Sequence, residues 1–208
     1  HEFNNILAIV KGFALQIKKK CKDDKKLEKR VDTIIKASLD GAEIVRRMRE
    51  YTNIEIDNTN FVPTDIRNLI KQVIEFTMPR WQNIAHANGI HYKINADDFK
   101  DVLCVMGNQS ELREIMINIV NNALDSMPDG GTLSYRTWRE ENIVFVSISD
   151  TGVGMKKDVQ KNIFDPFFTT KVGTGTGLGM SMAYGIITRH DGRIDVESEV
   201  GSGSTFTI

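Results

Sequence analysis

Between His1 and Tyr51 apolar residues return at intervals of three and four. Phe3, Ile6, Leu7, Val10, Ala14 and Ile17 make one stripe; Leu27, Val31, Ile34, Ile35, Ser38, Ala42, Val45 and Met48 make a second. This spacing predicts two amphipathic helices. The charged stretch 18–26 interrupts the stripes and predicts the bend of an antiparallel hairpin. One hairpin has too little surface to cover both stripes, so it is expected to pair with a second copy as a four-helix bundle. A coiled-coil spacer would carry the same stripes.

The pattern lapses into polar residues over 53–60, and Pro63 marks a new start. A helical pattern follows at Leu69, Ile70, Val73, Ile74 and Phe76, then strand-like segments at 90–94 and 102–106 and a helix over 111–127. Two strands are expected at 132–138 and 143–149 around the turn Asp129-Gly130-Gly131, because Val144, Val146 and Ile148 alternate cleanly. A glycine-rich stretch leads into a helix over 178–189 and two closing strands, 193–198 and 204–208. The mixture predicts an α+β chain: a hairpin over 1–52, a linker over 53–62, and an α/β sandwich over 63–208 with its helices on one face.

Composition narrows the partners. Lys plus Arg number 27 against 28 Asp plus Glu, so the formal charge is −1 and nothing favours nucleic acid or an acidic membrane surface. Cys21 and Cys104 lack metal-ligand spacing and read as free thiols in a reducing compartment. No apolar run approaches the roughly 20 residues that cross a bilayer. The expected location is cytoplasmic. The abrupt start and finish read as a piece of a longer parent, whose membrane contact, if it has one, lies in other segments.

Four stretches carry candidate chemistry. Asn118 and Asn122 lie four apart on one helix and share a face; a carboxamide oxygen is a neutral hard ligand for Mg2+, and Asn122 is the expected ligand. Exposed or capping amides give the same pattern. Asp150-Thr151-Gly152-Val153-Gly154 follows an alternating strand, where Asp150 can accept a hydrogen bond from an exocyclic amine such as that of adenine. A tight turn reads the same way. Gly173-Thr174-Gly175-Thr176-Gly177-Leu178-Gly179 precedes a helix, so freed backbone amides at a helix start form an anion site suited to polyphosphate. Between them, the aromatics of Phe164-Asp165-Pro166-Phe167-Phe168 can anchor a segment over a nucleotide or simply fill core, and Lys171 can reach a phosphate.

In this order and spacing, the stretches 118–127, 150–155, 164–171 and 173–180 resemble the N, G1, F and G2 boxes of the GHKL ATPase superfamily. With His1-Glu2-Phe3-Asn4-Asn5 ahead of them, the chain is similar to a sensor histidine kinase core of the nitrogen-regulator or hybrid type. The resemblance implies a GHKL-type sandwich that binds ATP with Mg2+, phosphorylation of His1 by the γ-phosphoryl group, and transfer to an aspartate on the receiver domain of a response regulator, within a homodimer. Glu2 matches the acid/base residue. Asn5 lies one turn from His1, where an amide can position water for a phosphatase reaction.

By the same resemblance Asn118 and Asn122 hold the metal and phosphates, and Asp150 reads adenine. Gly152, Gly154, Gly175, Gly177, Leu178 and Gly179 shape the lid and cradle, and Ser204 or Thr205 completes the adenine end. Two positions depart from the pattern. Asp125 stands where many relatives carry a phosphate-contacting Lys or Arg, which leaves Lys171 and the lid to supply positive charge. Asn108 stands at a position that is often Asp. Other GHKL ATPases, of the topoisomerase, mismatch-repair or chaperone type, lack a hairpin led by His-Glu. A scaffold that lost catalysis would not need Asn122, Asp150 and the full glycine set.

Overall fold

The computed structural model describes residues 2–20, 24–52, 60–87, 89–99, 103–171 and 175–208. The chain divides into two units, His1–Asn53 and Ile54–Ile208.

The first unit is a helical hairpin of α1 (Glu2–Lys20) and α2 (Lys25–Thr52). Asp24 starts α2: its carboxylate accepts from the backbone N–H groups of Lys26 and Leu27, both at 3.0 Å, which satisfies donors that a helix start leaves orphaned. Ala14, Val31 and Ser38 are buried between the helices. Phe3, Ile6, Ile9, Val10 and Phe13 are exposed on α1. Four of them, at 3, 6, 10 and 13, repeat in the three-and-four rhythm of a helix-packing seam.

The second unit begins with β1 (Val62–Asp65) and α3 (Ile66–Met78). Asp65 caps α3, accepting from Asn68 N at 3.1 Å, and Ile66, Leu69, Ile70, Val73 and Thr77 form its buried stripe. Pro79 has no N–H to offer, and the helix widens into a π-type turn, Pro79–Ile84, before a short α4 (Ala85–Ala87). Then come β2 (Tyr92–Phe99), β3 (Cys104–Gly107), α5 (Gln109–Ser126), β4 (Gly131–Glu140) and β5 (Ile143–Asp150), followed by α6 (Lys157–Asn162), α7 (Gly179–Arg189), β6 (Asp195–Glu199) and β7 (Gly203–Thr207).

Five strands form one sheet in the order β2-β4-β5-β7-β6, with β2 and β4 parallel and the other pairs antiparallel. β1 and β3 pair antiparallel in a separate two-stranded ribbon. Helices α3, α5 and α7 cover one sheet face: Leu69, Ile70 and Val73 meet Ile115, Ile119 and Leu124, Ala183 and Ile187, and Leu133, Ile148 and Phe206 in a single core. This is the expected sandwich with helices on one side.

One expected turn is corrected. β4 and β5 are joined by Glu141 and Asn142, with Glu141 at φ 52. Asp129-Gly130-Gly131 instead carries the chain out of α5, and Gly131 N donates to His91 O at 3.2 Å, which lays β4 alongside β2. Asn108 also gains a role. Its side-chain oxygen accepts from Ser110 N at 3.0 Å and Glu111 N at 3.3 Å, making it the N-cap of α5, which Asn serves as well as Asp. Among the described residues no helix is long and apolar enough to cross a membrane. Cys104 is a free, exposed thiol on β3; Cys21 lies outside the described residues.

Candidate functional site

Helix α5 organises the site because its polar residues recur on one side while Ile115, Ile119 and Leu124 enter the core. Asn118, Asn122 and Ser126 follow one another at intervals of four, so they climb a single face. Asp125 flanks it.

At the C-terminal end of α5 the helix meets the end of β5. Asp150 is 7 % exposed, and its Oδ1 accepts from Gly152 N at 2.8 Å and from the Ser126 hydroxyl at 2.9 Å. Burial pushes the Asp150 carboxyl above its ordinary value, and the bonds from Gly152, Ser126 and Ser204 oppose that push. A side chain at 152 would meet Ser126 Oγ at 2.1 Å, so only glycine leaves room for this bond. Gly154 sits at φ +65, where a Cβ would meet Glu199 O at 1.9 Å, a left-handed position where a side chain is both strained and blocked. The loop is tied on both sides: Val153 N donates to Ser126 O at 3.0 Å and Met155 N to Ser198 Oγ at 2.8 Å.

Ser204 and Thr205 separate at this point. Ser204 stands opposite Asp150 in the β5–β7 register, is buried, and lies 3.0 Å from Ser198 Oγ through its hydroxyl. Thr205 pairs with Ser149, hydroxyl to hydroxyl at 2.9 Å, on the opposite face of the sheet from Asp150. Of the two expected residues, Ser204 is the one beside the carboxylate.

The second cluster lies one to two turns back along α5. Asn118 Nδ2 is buried with no partner, and its amide lies close to Gly179, where α7 begins. No side chain caps α7, so its first-turn amides keep their capacity for an acceptor. Asn122 Oδ1 accepts from Lys171 Nζ at 3.1 Å. Lys171 also contacts Asp125 Oδ2 at 2.5 Å, and the Arg80 guanidinium engages Asp125 Oδ1. The cation expected to meet phosphate is therefore held by a carboxylate.

The aromatic segment divides by role. Phe164 packs against the core and tilts against Tyr184 of α7 at 5.6 Å. Phe167 is exposed and left-handed at φ 66, with its N–H donating to Gly177 O at 3.0 Å and Phe168 N closing a turn on Asp165 O at 3.2 Å. Gly177 at φ +67 is pressed against the Phe167 backbone, which a side chain would overlap. Gly175 N donates to Lys171 O at 3.1 Å, and Leu178 is buried at the α7 cap. Residues 172–174, with the first residues of the glycine stretch, lie outside the described residues, as does His1. Glu2 and Asn5 lie on α1, Asn5 exposed.

Sequence reasoning missed Ser126 and Arg80. Ser126 continues the four-residue spacing of the two asparagines and was within reach of the pattern; Arg80 meets the site only through the fold.

Residues 107–208 match the family described as histidine kinase-, DNA gyrase B-, and HSP90-like ATPase. Sensor kinase CckA of Brucella abortus (strain 2308) is 31% identical over 230 aligned residues, covering 100% of this chain and 23% of the relative. Sporulation kinase A of Bacillus subtilis (strain 168) is 33% identical over 208 residues, again covering 100% of this chain and 32% of the relative. The chain is a sensor histidine kinase core. Its C-terminal unit is a GHKL-type ATP-binding domain. Full-length ShkA, solved in complex with AMPPNP, superposes on the kinase core with a TM-score of 0.77 at 25% identity, covering 100% of this chain and 43% of that one. The chain thus spans 23% of one of these curated relatives and 32% of the other.

Proposed function

We propose that this kinase core uses ATP to phosphorylate His1 and passes the phosphoryl group to an aspartate on the receiver domain of a response regulator. The observation that carries the reading is the buried Asp150 carboxylate, oriented by Ser126 and Gly152 at one end of a helix that farther back sets Asn118 beside the uncapped start of α7 and Asn122 against Lys171. A purine amine at one end and a polyphosphate at the other suit that layout.

Asp150 accepts the exocyclic amine, with Ser204 beside it. The first-turn amides of α7, reached through Gly175, Gly177, Leu178 and Gly179, receive phosphate oxygens. Asn122 and Asn118 offer neutral amide oxygens, and no cluster of three or more His, Cys, Asp or Glu exists among the described residues. That donor set fits Mg2+, which binds through one or two protein oxygens plus phosphates and water, and does not fit a metal that needs a full protein cage. Mg2+ supplies charge neutralisation when bound. The unpaired Asn118 Nδ2 is left as a donor to phosphate. The His1 imidazole nitrogen attacks the γ-phosphorus as the bond to ADP breaks, and Glu2 takes the ring proton. Asn5, one turn on, positions a water that attacks the regulator's phosphoaspartate, breaking the bond to the aspartate and releasing inorganic phosphate.

Residues 1–52 form the phosphotransfer hairpin and 63–208 the ATP-binding domain in this reading. A second copy covers the seam at Phe3, Ile6, Val10 and Phe13, giving a homodimer. Labelled ATP with Mg2+ tests the function: acid-labile, base-stable label is expected on the wild type and absent from His1→Gln and Asn122→Ala. Label that persists in His1→Gln would overturn the assignment.

A further inference from the structure

Asp125 brings a negative charge to a place that must receive several more. It stands one turn beyond Asn122, with Lys171 Nζ at 2.5 Å from Oδ2 and the Arg80 guanidinium on Oδ1. Burial favours the neutral acid, yet the two cations outweigh it and hold the Asp125 carboxyl below its ordinary value. The group of three carries one net positive charge. Arg80 is braced from behind, where its Nη1 donates to Asn121 Oδ1 at 2.8 Å and to Asn121 O at 3.3 Å. It is presented by the π-type turn Pro79–Ile84, a rare geometry that recurs near functional sites.

We infer that Arg80 is a positioning residue of the nucleotide site, acting through Asp125. Lys171 is shared between Asp125 and Asn122. When Lys171 turns to phosphate, the carboxylate loses one of its two counter-charges. Arg80 is then the cation that keeps Asp125 from repelling the triphosphate, and it performs from 45 residues upstream the charge balancing that a basic residue at 125 would perform locally. The inference rests on the reading of Asn122 and Lys171 as the metal and phosphate contacts.

Equilibrium binding of ATP, ADP and adenosine to the whole chain, with Mg2+ and with EDTA, tests it. Arg80→Gln is expected to weaken ATP binding about tenfold, ADP less and adenosine not at all, since the penalty scales with ligand charge. Asp125→Asn removes the repulsion and should tighten ATP binding about threefold, and adding it to Arg80→Gln should restore affinity to that level. Arg80→Lys, which keeps the charge, should stay within about threefold of wild type. Equal loss for ATP and adenosine, or no recovery in the double variant, would overturn the role of Arg80. Wild type that binds no ATP would instead overturn the site itself.

Discussion

The Ser126 hydroxyl lies 2.9 Å from Asp150 Oδ1, joining the last turn of α5 to the end of β5. The same hydroxyl lies 2.7 Å from Ala123 O, so its one proton is shared between a carbonyl and the carboxylate. Ser126→Ala leaves only the backbone bonds from Gly152 and Ser204 to orient Asp150. Titration calorimetry should show ATP binding weakened about tenfold, the low end of the worth of a hydrogen bond to a charged group, because the Ser126 proton is shared, with thermal unfolding little changed.

Asp150→Asn separates binding from stability. The amide oxygen can still accept from Ser126 and Gly152, but its NH2 opposes the adenine amine, and affinity should fall about 100-fold. The folded carboxyl titrates above its ordinary value of 3.8 because burial disfavours its charge. The folded state therefore holds the proton more firmly than the unfolded chain; the stability this gives is complete below the unfolded value and is lost as pH rises through the folded one. Asparagine has no such titration. Urea unfolding at a series of pH values should show the variant gaining on wild type across that window and levelling off above it.

His190 joins the start of α5 to the end of α7. Its Nε2 accepts from Asn108 N at 3.0 Å, its Nδ1 hydrogen goes to Ile186 O at 2.8 Å, and its ring stacks on Phe61 at 4.4 Å. His190→Phe keeps the stack, orphans Asn108 N and leaves Ile186 O with only the backbone N–H of residue 190. The midpoint of urea unfolding should fall by an amount worth about 2 kcal/mol, while nucleotide affinity holds.

The seam on α1 makes a solution prediction. Phe13 is 61% exposed in the isolated hairpin, and Phe13→Glu would place a charge at the proposed helix-packing surface. Sedimentation velocity should show a dimer for wild type and a monomer for the variant, with helix content by circular dichroism largely kept. A variant dimer as tight as wild type would remove this seam from the interface.

Much of this was legible because local periodicity and burial agree. Ile115, Ile119 and Leu124 were placed in the core by spacing alone, and the alternation of Val144, Val146 and Ile148 marked the strand that ends at Asp150. The failures share a cause, which is pairing between distant segments. Pro63 speaks against a strand, yet β1 is a peripheral ribbon paired only to β3, where a missing donor is tolerated. Asp129-Gly130-Gly131 looks like a hairpin turn, but its strand partner is β2, in the parallel sense, and lies earlier in the chain. Arg80 carries no local mark, because a guanidinium on a helix exit becomes meaningful only when Asp125 arrives opposite it.

The position of β7 sets an order of events during synthesis. This strand, Gly203–Thr207, is inserted between β5 and β6, in the interior of the sheet and opposite Asp150. A ribosome can release the helical hairpin early, since its contacts are local and need nothing downstream. The sheet cannot close, and Asp150 cannot acquire Ser204 as its neighbour, until β7 has emerged. The nucleotide-binding unit is thus completed after the hairpin that precedes it.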